Sequence, residues 1–333
     1  MTRSRTMSRT LGRRSFLGGL TAGAAALGLT ACGVNDSSEG DGGGDKKADA
    51  GKGGGTRTVK ADNGTITVPA APKRVVVTDN YAALMLLELG IVPVGVPDGT
   101  ALPTLMPAAD HAKLAKVKTI GAPGTLNAQA VAALKPDLII DQFYRDKATA
   151  LADAKVAPVT HFDWTKDALW HEQIARVADA VNREARLTEL KTRYETRVKE
   201  VRTAHAKKIA TSVWAPLSGG PSGKFFLGTP YVTVMRELGL KIGAGIPEGQ
   251  GEKFIPKSYE ELDVLGDCTA LIYPVQFDGK PTPTTQALLD HKLWKAVPAV
   301  KAGRAFSSQH FLMANYSFAI GAVDEIEGML KKL

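Results

Sequence analysis

Two cysteines in 333 residues are too few for a disulfide framework. Cys268, between Asp267 and Thr269 ahead of an apolar run, reads as a small buried residue and not as a nucleophile. The six histidines (His111, His161, His171, His205, His291 and His310) have no ligand-type pairing, and no His-rich loop exists to hold a bare metal ion. No G-x-S-x-G elbow is present. Two Gly-rich stretches fall short of nucleotide loops. A P-loop ending at Gly223-Lys224 would need Gly where Ser218 stands, and Ser or Thr where Phe225 stands. After Gly243-Ala244-Gly245 the third glycine of a dinucleotide fingerprint is replaced by Glu248. No catalytic residue, metal ligand or cofactor is expected. An extracellular, lipid-anchored hydrolase stays open as an alternative class.

Positive charge is scarcer in the body than the net +8 suggests. Arg3, Arg5, Arg9, Arg13 and Arg14 lie in residues 1–31, which carry no acid, so the remainder holds +3. With no Lys/Arg stripe interleaved with aromatics, nucleic acid is not an expected partner. Arg13-Arg14-Ser15-Phe16-Leu17 resembles a twin-arginine export signal. The apolar run Phe16 to Leu29 spans 14 residues, too short and too rich in Gly and Ala for a membrane span. Leu29-Thr30-Ala31-Cys32-Gly33 looks like a bacterial lipobox, in which the Cys32 thiol would receive a diacylglyceryl group. Residues 1–31 are thus expected to be a signal peptide and Cys32 the lipid attachment site, which leaves Cys268 without a partner. Residues 32–55, dominated by Gly, Asp, Ser and Lys, read as a flexible tether with a reach of roughly 25 Å. The expected location is the extracytoplasmic face of the cell membrane.

From residue 56 the chain alternates strand and helix patterns, which predicts parallel sheets with right-handed crossovers. A hairpin over Thr56–Val68 turns at Asp62-Asn63-Gly64. Strands are expected over 73–77, 91–96, 138–141 and 156–161, with helices over 81–89, 108–113, 127–134 and 147–153. Near the middle, Asn182 to His205 has neither Gly nor Pro, and Leu187, Leu190, Tyr194, Val198 and Val201 form one apolar stripe. Asn182 is a candidate cap for this long helix. Beyond it, strands are expected over 209–214, 225–227, 270–275 and 304–308, with helices over 231–238, 258–265, 288–294 and 316–333. This gives an α/β fold of two Rossmann-like lobes, 56–181 and 207–333, joined by an interlobe helix over 182–206 that holds them apart as a stiff strut.

The hairpin with Gly64 and Pro69, the PKRVVV strand, LGIVPVGV, ALKPDLII and the pair Ala157-Pro158 occur in this order in class III periplasmic binding proteins. The chain resembles that family from about Thr56 to Leu333. The resemblance implies two αβ lobes bridged by one long helix, with a ligand in the shallow cleft between them. Such proteins are ferric-siderophore and cobalamin receptors of bacterial ABC importers. The expected partners are therefore a ferric siderophore and an ABC permease, with the protein a monomer.

In open αβ sheets ligands bind beyond the carboxyl ends of the strands. That rule selects Tyr81, Tyr144 and Arg145 in the first lobe, and Trp214, Gln276, Phe277 and Tyr316 in the second. Phe143, Gln309 and His310 lie at the same edges. Aromatic walls suit the carbon surface of a chelate, and the Arg145 guanidinium would suit its iron-bound oxygens. One arginine, where a trianionic catecholate complex would call for several cations, favours a hydroxamate siderophore; cobalamin or haem are alternatives. Family members offer one acidic residue per lobe to the permease. Glu260 matches in the second lobe. The matching first-lobe position is Gln129, a departure for which Glu88 or Asp110 could substitute.

Overall fold

The computed structural model describes residues 55–165, 169–248 and 254–333. The expected export signal, Cys32 and the expected tether through residue 54 lie outside the described residues, as do residues 249–253 of the Gly-rich loop. No helix of the described residues is long and apolar enough to cross a membrane.

The chain opens with the expected hairpin, Thr56–Ala61 against Gly64–Pro69, with Val59 and Val68 buried on its inner face. Five parallel strands follow, ordered in space Lys118–Thr119, Gly95–Val96, Val75–Val77, Leu138–Asp141 and Val159–His161. Val75, Val76 and Val77 are fully buried, as an unbroken apolar run requires when helices cover both faces of a sheet. The helix Asn80–Glu88 leaves the central strand, capped by the Asp79 carboxylate on the Ala82 N–H at 2.9 Å. Gly90 ends it at φ +81, a left-handed position that glycine occupies without strain.

The helix Trp170–Ala180, absent from the expected element order, buries Trp170, Gln173, Ile174, Val177 and Ala178. That spacing is one helical face. Asn182 then takes φ +55 and its side chain donates to the Ala70 carbonyl at 2.9 Å. It closes the preceding helix and does not cap the next one, because a cap residue needs extended backbone.

The interlobe helix runs unbroken over Glu184–Ala204, about 30 Å. It buries Leu190, Tyr194, Val198 and Val201 against the helix Trp170–Ala180 on one side and the terminal helix Tyr316–Lys331 on the other. Leu187 is only partly buried. Arg197 fastens it to the terminal helix through Asp324 at 2.6 Å and Glu327 at 2.5 Å.

The strand expected over 209–214 is instead a helix, Ala206–Thr211, followed by a strand over Val213–Gly219. Ala-Lys-Lys-Ile-Ala is a good helix-forming run and continues directly from the strut. Val213–Gly219 pairs in parallel with Ala270–Pro274, which pairs in parallel with Ala305–Ser308. Lys224–Leu227 and Ile255–Ser258 extend this second sheet antiparallel. The expected α-helix at 258–265 is a 3-10 helix, Tyr259–Leu265, entered through a capping box between Ser258 and Glu261. The 288–294 segment divides into two helices, Pro283–Asp290 and Lys292–Ala296. The structure is thus two αβ lobes bridged by one long helix, as expected.

Candidate ligand-binding cleft

The carboxyl edge of the first sheet gathers four aromatic rings. Tyr81 enters from the first turn of the helix Asn80–Glu88. Phe143 and Tyr144 follow the strand Leu138–Asp141, and Trp164 follows Val159–His161. Tyr81 lies 4.9 Å from Trp164 and 5.7 Å from Phe143 between ring centres. Phe143 stacks on Trp164 at 5.9 Å with 17° between planes, and Tyr144 completes the group at 6.4 Å from Phe143. Phe143 is 37% exposed, unusual for a large aromatic already in contact with three others.

A buried polar layer supports these rings. Asp141 accepts from the Thr78 hydroxyl and from Tyr144 N–H, and its Oδ2 lies 2.5 Å from Nδ1 of His161. Asp79 sits beside it with one oxygen committed to the cap and Oδ2 without a protein partner. Burial, reinforced by the Asp141 charge, raises the Asp79 carboxyl to about 7. Burial and Asp79 together push the Tyr81 hydroxyl up to about 12, which keeps it a neutral phenol. Gln142 bonds Gln173 at 3.1 Å and leaves its own carbonyl oxygen free of partners.

Across the cleft, the second lobe presents Gln276 and Phe277 after Ala270–Pro274, and Gln309 and His310 after Ala305–Ser308. The Gln309 amide donates to the Phe277 carbonyl at 3.2 Å. Phe277 meets His310 edge-on at 5.5 Å and Phe318 at 5.7 Å. His310 is steadied by Glu325 at 3.0 Å, and Gly321 leaves room for its ring; a Cβ there would lie 2.5 Å away. The edges of the two lobes face each other where Phe277 N–H donates to the Thr104 carbonyl at 2.9 Å.

Three expected contacts are placed elsewhere. Trp214 is fully buried, stacks on Phe306 and donates its indole N–H to Ser212 at 2.7 Å. Its strand starts at Val213, so Trp214 stands at the amino end of the sheet, away from the cleft. Tyr316 is 4% exposed and packs edge-on against Trp170 at 5.0 Å and beside Tyr194 of the interlobe helix. The segment 309–315 has carried it to the back of the molecule. Arg145 is exposed and borders a groove against the hairpin, lined by Asp62, Asn63 and Thr65. Arg145 opens the helix Arg145–Asp153 with Tyr144 just ahead of it, and the turn of that helix directs Arg145 away from the rings.

The two positions expected to face a permease are equivalent in the fold. Gln129 is the second residue of the helix Ala128–Ala133 behind the Asn127 cap, and Glu260 is the second of Tyr259–Leu265 behind Ser258. Both are exposed. Its own backbone N–H and the Ser258 hydroxyl hold Glu260 below the usual carboxylate range. Of the substitutes, Glu88 is engaged with the terminal helix and Asp110 with Lys113 at 3.3 Å. Cys268 is buried, and burial pushes its thiol well up, as befits an inert packing residue. The described residues hold no cluster of His, Cys, Asp and Glu fit for a metal ion.

Two lobes, one bridging helix and aromatic rings gathered where the sheet edges face each other have the form of a substrate-binding protein. The family model described as periplasmic binding protein matches residues 75–309, and the chain belongs to that family. The probable siderophore-binding lipoprotein YfiY of Bacillus subtilis is 30% identical over 265 residues, covering 75% of this chain and 79% of YfiY. The iron(3+)-hydroxamate-binding protein FhuD of the same organism is 27% identical over 288 residues, covering 84% and 85%. The solved siderophore periplasmic binding protein from the fuscachelin gene cluster of Thermobifida fusca superposes with a TM-score of 0.67 at 30% identity, covering 79% of this chain and 98% of that one. Membership also removes the hydrolase alternative, since these relatives are binding proteins.

Proposed function

We propose that this protein captures a ferric siderophore outside the cytoplasm, with a hydroxamate complex as its preferred ligand, and delivers it to the permease of an ABC importer. The observation that carries the reading is the ring cluster Tyr81, Phe143, Tyr144 and Trp164 on the first-lobe edge, in a chain whose relatives are named for siderophore binding. A ferric tris-hydroxamate can be neutral overall and shows mostly methylene carbon. Flat rings bury such a surface at about 25 cal/mol per Å². With Arg145 turned to the hairpin groove, the ring cluster has no guanidinium beside it among the described residues, which supports a ligand of low charge over a trianionic catecholate. Phe277, pinned between Thr104 and His310, forms the opposite wall. Anchoring through Cys32 fits the name of YfiY as a lipoprotein and keeps the body near the permease.

The test is a titration panel read by tryptophan fluorescence: ferrioxamine, ferrichrome, a catecholate complex, haem and cobalamin. Saturable quenching by the hydroxamates at the lowest concentrations is expected. Tighter binding of haem or cobalamin would replace the siderophore reading with that ligand.

A further inference from the structure

In a parallel sheet the amino and carboxyl edges lie on opposite sides, so the first lobe has a second edge turned away from the cleft. Cations collect there. Lys73 and Arg74 precede the strand Val75–Val77, Lys116 precedes and Lys118 opens the edge strand Lys118–Thr119, Lys135 precedes the strand Leu138–Asp141 and Lys155 the strand Val159–His161. All six are exposed. Among the described residues none of these lysines makes an ion pair. Arg74 donates to the Leu134 and Lys135 carbonyls, which leaves its charge unneutralised. Fewer acids stand at this edge: Asp137 accepts from the backbone of Lys73 and Arg74 at 2.8 and 2.9 Å, Asp110 holds Lys113, and Asp153 ends the helix ahead of Lys155. Lys135 and Lys155 follow helix ends, where a cation complements the helix dipole. Lys116, just past the C-cap of the helix Ala108–Leu114, is placed in the same way, and that explanation does not reach Lys73 or Lys118.

The edge also has apolar surface. A groove of about 730 Å³ runs between Arg74, Lys113, Lys116 and Lys118 with Val94 in its floor, and Val92 on its rim is 48% exposed. The described chain begins beside it. Gly55, the first described residue, accepts from Ala70 N–H at 2.7 Å, three residues ahead of Lys73.

We propose that this basic, Val92-bearing edge is a docking surface for anionic lipid headgroups. It lays the body on the membrane with the aromatic cleft turned outward to meet incoming ligand. Lysines attract the negative surface potential of the bilayer, and the exposed apolar rim sits at the headgroup level. The attraction is confined to about a Debye length, so it yields when the body must turn to present its cleft to a permease. The inference is independent of the ligand's identity.

The test uses the full chain carrying Cys32→Ser, with one added thiol at Val92→Cys or, as a control on the cleft side, at Thr125→Cys. Each is labelled with a fluorophore, since Cys268 is buried. Quenching by nitroxide-headgroup lipid is read on phosphatidylglycerol/phosphatidylcholine vesicles and on phosphatidylcholine alone. The Val92 probe should be quenched on the anionic vesicles only, with the effect lost in high salt, while the Thr125 probe stays bright. Lys116→Glu with Lys118→Glu should weaken that vesicle binding by about tenfold or more. The arginine-rich amino terminus is common to every variant, so a loss on Lys116→Glu with Lys118→Glu reports the edge itself. Equal quenching at both positions, equal quenching on neutral vesicles, or no effect of the charge reversals would overturn the proposal.

Discussion

Glu88 and Ser317 join the lobes. The carboxylate stands at the end of the first-lobe helix Asn80–Glu88 and accepts from Ser317 N–H at 2.7 Å and Ser317 Oγ at 2.6 Å, while its second oxygen accepts from Tyr316 N–H at 2.9 Å. It serves as an N-terminal cap supplied from another part of the chain, to a helix that Asn315 also caps through Phe318 N–H. Asn315 reaches back across the same junction to the Leu84 carbonyl at 3.2 Å. Glu88→Ala should lower unfolding stability by about 1–3 kcal/mol, read from urea midpoints. Glu88→Gln should cost less, because it keeps part of the bonding. No loss in the alanine variant would show that this joint does not hold the lobes together.

Asp79 makes stability depend on pH. Its folded value of about 7 lies above the ordinary 3.8. Between these values the unfolded chain gives up the proton and the folded chain retains it. The folded state is therefore favoured at the acid end and loses stability as pH rises from about 4 to about 7, at up to ~1.4 kcal/mol per pH unit. Asp79→Asn preserves the helix cap and removes the titration. Denaturation midpoints compared at several pH values should show the variant gaining on the wild type towards neutral pH. Parallel profiles would remove Asp79 as the source.

Trp214 separates a packing role from a binding role. Replacement by alanine should destabilise the second lobe by about 3–5 kcal/mol, the usual cost of deleting a buried indole. Trp214→Phe, which loses the bond to Ser212 but keeps most of the volume, should fold and bind siderophore with unchanged affinity in a fluorescence titration. Weakened binding in that folded variant would return Trp214 to the cleft.

Charge at the two helix-start positions is expected to govern delivery and not capture. Glu260→Lys should reduce siderophore uptake by cells while leaving affinity in solution intact. Gln129→Glu, which restores an acid at the equivalent first-lobe position, should leave affinity intact and raise uptake. Unchanged transport in the Glu260 variant would take that residue out of the docking surface.

The sequence patterns read most clearly where burial imposes them. The runs Val75–Val77 and Leu138–Asp141 are strands because both faces are covered, and the stripe Leu190, Tyr194, Val198, Val201 is buried as its spacing predicts. The stripe of Trp170–Ala180 was equally readable. Site residues were harder, because the carboxyl-edge rule depends on knowing where a strand stops. Taking 209–214 as a strand put Trp214 at a carboxyl end, whereas the helix Ala206–Thr211 shifts the strand onward and leaves Trp214 at the amino end. Trp164 obeys the same rule three residues past Val159–His161, a short step beyond the expected edge. Tyr316 and Arg145 show the rule's other limit. It locates a backbone position, while loop path and helix rotation decide which way a side chain faces. The Asp79–Asp141–His161 layer had no local signature, since residues far apart in sequence meet only when the three strands pair.

The central claim is that the first-lobe ring cluster grips the iron complex, and it is tested most directly by titrating ferrioxamine into the wild type, Phe143→Ala and Trp164→Phe under one set of conditions. Tight, saturable quenching is expected for the wild type. Phe143→Ala should bind about tenfold or more weakly, and Trp164→Phe should bind nearly as well with much of the quenching amplitude gone. Wild-type affinity in Phe143→Ala together with full amplitude in Trp164→Phe would mean that the ligand sits elsewhere.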